Sequence, residues 1–166
     1  MNYIIKLVNG KYFNRYLLTF NIIVFSHFLE HLAQMIQLYI LHWQRSESLG
    51  ILGLKYPWLV HSEWLHYGHA LFMLVGLYLL AFSIVGKAKQ WWDWAVYLAF
   101  YHHIEHVIIL SQAIAGVNLF NSSTPTSIVQ ALGVPRIELH FIYNLMVLIP
   151  MLISLYIFNK NKTIYN

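Results

Sequence analysis

The chain contains no cysteine, which excludes disulfides, thiolate metal sites and cysteine-ligated iron–sulfur clusters. Charge is scarce as well: 10% of the 166 residues are Asp, Glu, Lys or Arg, against about 25% in an ordinary soluble domain. The first stretch, Met1 to Phe13, is short of apolar residues and has no small-residue cleavage site, so it is kept as part of the protein rather than assigned as a removed signal peptide. What remains is apolar. Hydrophobic residues make up 59% of the chain and its mean hydropathy is +0.56, the composition of an integral membrane protein.

Crossing the hydrocarbon layer takes about 20 helical residues at about 1.5 Å each. Four runs meet that length: Tyr16 to Trp43, Trp58 to Val85, Trp91 to Val117 and Arg136 to Phe158. The sequence therefore predicts an all-α, multi-pass membrane four-helix bundle formed by one domain over residues 1–166. With four spans both termini share a side with the turn around Gly86, and that side carries Lys6, Lys11, Arg15, Lys87, Lys89, Lys160 and Lys162. The other side carries only Arg45, Lys55 and Arg136, so the positive-inside rule puts both termini in the cytoplasm. Topology thus accounts for the net charge of +4 without a nucleic-acid partner. Trp43 and Trp58 bracket the first outer loop, and Trp91, Trp92 and Trp94 open the third span, where indole rings favour the membrane interface.

Two segments break the apolar pattern in the same way. His27-Phe28-Leu29-Glu30-His31 in the first span returns about 75 residues later as His102-His103-Ile104-Glu105-His106 in the third. Span two, from Trp64 through His66 and His69, matches span four, from Glu138 through His140 and Tyr143, less closely. Each outer loop carries a short apolar piece ended by a Gly and Pro pair, Gly53 to Pro57 and Gly133 to Pro135, which predicts short interfacial helices. The chain thus reads as two duplicated helical hairpins.

An ionisable side chain at bilayer depth costs roughly 2.5–3.5 kcal/mol on insertion scales, so these residues need a purpose and an interior to face. On a helical wheel His27, Glu30, His31 and Gln34 share one narrow face, extended by Gln37 and His42. His102, Glu105 and His106 repeat it with Gln112 at the edge, while His103 turns away. Ser62, Glu63, His66 and His69 share an arc of about 120°. Counted from Trp43 and Pro57, His31 and His69 lie ~18 Å deep; counted from Val117, Glu105 and His106 lie ~16–18 Å deep. His140 comes out shallower. These levels predict a single layer of metal ligands: His27, Glu30, His31, His66, His69, His102, Glu105 and His106, with Glu63, Gln34, Gln112 and His140 as supporting or variable ligands.

The spacing of His27 with His31 and of His102 with His106 resembles the HxxxH boxes of integral-membrane histidine-box oxygenases and desaturases. That resemblance covers about ten residues and implies iron and oxygen chemistry, although no HxxHH box occurs and those boxes generally lie at the membrane surface of longer chains. The same strings resemble the HxxEH signature of inverted zinc peptidases, where two His bind zinc and Glu is the general base. No globular protease domain accompanies them here.

Imidazole and carboxylate together suit Fe, Cu, Zn or Mn, and paired sets on facing helices resemble the carboxylate-bridged two-metal sites of helical bundles. The first expectation is therefore a membrane oxidoreductase or oxygenase with two Fe or Cu ions, Zn being a further candidate. Tyr67, Tyr101 or Tyr143 would serve as a relay, and electrons would come from quinol or a redox partner. A b-type haem held by His31 with His69, or by His106 with His66, is the second. The third is an accessory subunit of a larger membrane complex, or a metal or proton conduit. The partners implied are the lipid bilayer and either other membrane subunits or further copies of the chain.

Overall fold

The computed structural model describes residues 3–164, with side chains to residue 161; Met1 and Asn2 of the N-terminal stretch and the side chain of Lys162 lie outside the described residues. Every regular element among them is helical: α1 (Tyr3–Val8), α2 (Phe13–Tyr39), α3 (Gly50–Lys55), α4 (Pro57–His61), α5 (Glu63–Leu80), α6 (Gly86–Ala115), α7 (Ile128–Ala131) and α8 (Arg136–Ile164), with single 3-10 turns at Ala81–Ser83 and Leu119–Asn121. Three segments are long and apolar enough to cross a membrane: Phe13–Tyr39, Glu63–Ser83 and Arg136–Asn161. Helix α6 is longer than any of them, but Lys87, Lys89, Asp93, Glu105 and three histidines dilute its apolar character. Its polar centre points inward, since His102, Glu105, His106 and Gln112 are buried while Tyr97, Phe100, Ile104, Val107 and Ile114 are exposed.

The four long helices pack mainly through α6, which lies against α5 and α8, while α2 leans on α8. Ala88, Ala95 and Ala99 of α6 are fully buried, and such small side chains let helix backbones approach closely. The Ser154 hydroxyl uses that closeness to donate to the Ala88 carbonyl at 2.7 Å. Phe13, Leu17, Phe20, Met73, Leu77, Val147 and Met151 fill the apolar half of the interior. At the α2–α5 contact, a Cβ on Gly76 would meet the Phe20 ring at 2.3 Å, so a larger residue there would have to displace that buried ring.

Two boundaries and one tryptophan differ from the sequence pattern. Helix α2 stops at Tyr39, and His42 has φ 55°, where the chain turns into the loop instead of continuing to Trp43. The second apolar run is broken at Ser62, whose extended backbone separates α4 from α5 and whose hydroxyl accepts from Leu65 N–H. Apolar periodicity runs through that break because both pieces are apolar; the N-cap chemistry of Ser62 ends one helix and starts the next. Trp92 does not sit at an interface. It is fully buried and donates its indole N–H to the Leu77 carbonyl at 2.8 Å, while Trp91 and Trp94 remain exposed.

Candidate functional site

Two helix glutamines, Gln37 of α2 and Gln112 of α6, each hold the loop that follows their helix and set the frame. Gln37 accepts from Gly50 N–H at 2.8 Å and donates to the Gly50 carbonyl at 3.2 Å. Gln112 does the same to Thr126, accepting from its N–H at 3.2 Å and donating to its carbonyl at 2.7 Å, and also accepts from Leu119 N–H. A primary amide carries a donor and an acceptor side by side and so satisfies the N–H and the C=O of one residue together. Buried loop backbone demands such partners, and the two glutamines fold each outer loop back between the helix ends. Gln112 is therefore a loop clamp, and Gln37, which the stripe pattern included without a role, is its counterpart.

Glu30 has a third backbone task. Its carboxylate accepts from Ile51 N–H at 2.7 Å and from Leu52 N–H at 3.0 Å, capping α3, and these charge-assisted bonds engage it with the loop. Gly50 makes this possible: its φ of +79° is a left-handed conformation, and a Cβ there would stand 2.5 Å from the Glu30 carboxylate.

Behind these clamps seven imidazoles from four helices meet: His27 and His31 of α2, His66 and His69 of α5, His102 and His106 of α6, and His140 of α8. His27 packs edge-on to His31 with ring centroids 4.6 Å apart, and His102 packs edge-on to His106 at the same distance. His27 stacks on His69 at 3.6 Å, while His102 faces Tyr143 at 5.1 Å. Across the middle, His31 stacks on His140 at 5.5 Å, His106 on His66 at 6.0 Å, and His66 on His140 at 5.4 Å. His140 also stacks on His106 at 5.2 Å, so this one ring touches all three other helices that bear imidazoles. The depth count had made it peripheral. Helix α5 begins at Glu63 and α8 at Arg136, so His66 and His140 sit only ~5–6 Å inside their helix starts, nearer those helix ends than a span counted from Pro57 suggests for His66.

Hydrogen bonds fix some of the tautomers. With Gln34 Oε1 accepting at 2.9 Å, neutral His31 carries its proton on Nδ1, leaving Nε2 to accept from His27 Nε2–H at 3.0 Å. His66 donates Nδ1–H to the Ser62 carbonyl at 2.9 Å, which leaves its Nε2 lone pair free; a ring bonded to a backbone carbonyl in this way is oriented as metal-binding histidines usually are. His69 Nε2, His102 Nδ1 and Glu105 Oε2 are buried without a hydrogen-bond partner, and the Tyr143 hydroxyl stands beside Tyr101 and the Glu105 carboxylate. The rings stack with planes 10–28° apart, and no group of three or more His, Cys, Asp or Glu among the described residues is set as a metal cage. Two imidazoles on one tetrahedral ion hold their centroids about 5 Å apart, given metal–nitrogen distances of about 2 Å. The His140 separations match that spacing, and turning nitrogens inward asks for rotation about χ2, a soft torsion in histidine.

Three cavities reach the cluster. One of about 570 Å³ opens at the outer loops between Arg45, Glu63, Thr124 and Arg136 and ends on His31, His66 and His140. Glu63 lies in its wall, held by Arg136 through two bonds of 2.6 Å, and so belongs to the entrance. At the same mouth Arg45 donates to both oxygens of Glu138 at 2.6 and 2.7 Å, and these bonds raise the Arg45 pKa further above its already high ordinary value. A second cavity, about 270 Å³, is lined by His27, Glu30, His31, His66 and His69 and roofed by the apolar residues of α3 and α4. A third, about 10 Å³, is lined by His102, Glu105, His106, His140 and Tyr143.

Comparison of the chain with protein-family models, with curated proteins and with solved structures finds no match.

Proposed function

We propose that the chain is an intramembrane metalloprotein whose imidazole cluster holds Fe or Cu, with one position in each half, in an oxidoreductase or oxygenase role. The observation that carries this reading is the connected stack of seven imidazoles drawn from four helices. Gathering so many ionisable rings away from water is costly, and leaving His69 Nε2, His102 Nδ1 and Glu105 Oε2 buried and unpaired among them adds to the cost; metal ligation answers both. The donor set fits that use. Neutral imidazole with a carboxylate suits first-row metals, and Zn fits the same donors.

On this reading the protein is a single four-helix bundle of two duplicated hairpins. Support comes from the recurring contacts: His27 with His31 against His102 with His106, His31 with His140 against His106 with His66, and Gln37 with Gly50 against Gln112 with Thr126. Helix α6 is then the fourth span, its apolar exposed face turned to lipid. Both termini face the cytoplasm, in keeping with the lysines and arginines grouped at their end.

The metals, when bound, supply Lewis acidity and one-electron chemistry. The protein orients imidazoles through Gln34 and Ser62 and admits small molecules past Arg45, Glu63 and Arg136. Electrons would come from quinol or a membrane partner, and the chain would work beside other subunits or copies of itself. A haem is the weaker reading. His140 lies 5.4 and 5.2 Å from His66 and His106, and His27 contacts both His31 and His69, so each pair suited to axial ligation has a third imidazole beside it where a porphyrin would need room.

Metal analysis with a visible spectrum on the purified protein separates these readings. The expected result is up to two Fe or Cu per chain and no Soret band. A Soret band would establish the haem alternative, and a metal-free protein that cannot be loaded with Fe, Cu or Zn leaves only the accessory or conduit role.

A further inference from the structure

The two halves place related residues around two cavities, yet the cavities are not alike. In the first half, the carboxylate of Glu30 is engaged in capping α3, and the cavity is about 270 Å³. In the second half, Glu105 is 4% exposed, its Oε2 has no partner, and the cavity beside it is about 10 Å³, the space of a single water-sized sphere. No loop helix takes Glu105 as its cap, because α7 is capped by Ser127 and Gln130 in a reciprocal box. The released carboxylate faces the same cavity as His102, 3% exposed with an unpaired Nδ1, and Tyr143, 8% exposed with its hydroxyl beside Glu105 and Tyr101. A carboxylate oxygen and an imidazole nitrogen, each buried and unpaired beside a phenol around one small cavity, would be an expensive arrangement if nothing bound there.

We propose that the second-half cavity is a metal site of its own kind, a 2-His-1-carboxylate set of His102, Glu105 and His106 with the Tyr143 hydroxyl beside it, whereas the first-half position is held by imidazoles alone. The inference rests on the metalloprotein reading and adds that its two positions are chemically unequal. Two imidazoles and a carboxylate from one helix leave the opposite side of an ion open, the pattern that suits Fe(II) with exchangeable positions. The i, i+3, i+4 spacing of His102, Glu105 and His106 keeps the three donors on one face of α6. His140 of α8 stands across the cavity from the three donors, Ile109, Gln130, Leu139 and Arg136 complete the lining, and the Arg136 charge is balanced by Glu63, which leaves the Glu105 carboxylate for the ion.

The test uses the full-length protein in detergent, stripped of metal, loaded anaerobically with Fe(II) and desalted before metal is counted. The Glu30→Gln variant is expected to retain the wild-type metal content, and Glu105→Gln to lose one equivalent, most of which Glu105→Asp restores. Equal losses in Glu30→Gln and Glu105→Gln, or none in either, would overturn the inequality while leaving the metalloprotein reading in place. Wild-type protein that takes up no metal of any kind would overturn both. Should Glu105→Gln fail to fold by circular dichroism and gel filtration, Tyr143→Phe carries the test with Co(II) as the probe. Removing the hydroxyl should shift the Co(II) visible bands at unchanged metal content, and an unaltered spectrum would contradict the assignment.

Discussion

Replacing His140 by Gln is expected to weaken metal binding at least about 100-fold, beyond the 10–100-fold typical of a group that only supports a ligand. The ring stacks on His31, His66 and His106 at 5.5, 5.4 and 5.2 Å and meets His102 edge-on at 6.2 Å, so it is shared by both halves of the cluster. Gln keeps a polar side chain of similar length and limits the loss of packing, which separates ligation from collapse. Competition with a chromophoric chelator reads the affinity. His103→Gln is the control: His103 packs on Tyr67 at 5.1 Å, outside the stack, and its loss should leave metal binding within about twofold of wild type, since it is not among the groups that support a ligand.

Gly50→Ala is expected to be the most destabilising single-methyl change in the outer loops. A non-glycine residue held in the left-handed region costs about 1–3 kcal/mol from the backbone alone. The added Cβ would stand 2.5 Å from the Glu30 carboxylate and 3.1 Å from the Glu30 carbonyl, so the carboxylate must leave Ile51 and Leu52. Hydrogen bonds to a charged group contribute about 1.5–3 kcal/mol each, and the combined loss should exceed about 3 kcal/mol. Thermal unfolding in detergent measures it. Gly116→Ala isolates the backbone part, because Gly116 has φ +66° with open space around its Cβ position; it should lower stability by about 1–2 kcal/mol. Equal losses in the two variants would mean that the Glu30 cap contributes nothing.

Azimuth was legible in the sequence, and engagement was not. Helical spacing correctly put His102, Glu105, His106 and Gln112 on the buried face of α6 and turned His103 off it, because a wheel needs only the 100° step between residues. The same step cannot tell a carboxylate that caps a loop helix from one left unpaired, so Glu30 and Glu105 looked equivalent. That distinction depends on Gly50 in one loop and the Ser127 and Gln130 box in the other. Depth suffered from helix ends that apolar runs conceal: Ser62 interrupts a continuous apolar stretch, and correcting for it brings His66 level with His140. The signal for His140 was nevertheless present, since aligning span two with span four pairs it with His66, and their rings stack at 5.4 Å. Trp92 shows the limit of composition rules, for its neighbours Trp91 and Trp94 do face outward while its own ring packs in the core.

The most direct test of the account is X-ray absorption at the edge of whichever metal the purified protein retains or takes up. An intramembrane centre built from His27, His31, His66, His69, His102, His106 and His140 predicts nitrogen and oxygen neighbours at about 2.0–2.2 Å with the outer-shell scattering of several imidazole rings. That scattering should diminish in the His140→Gln protein. A spectrum without imidazole scattering, or one unaltered by the loss of His140, would contradict the central claim.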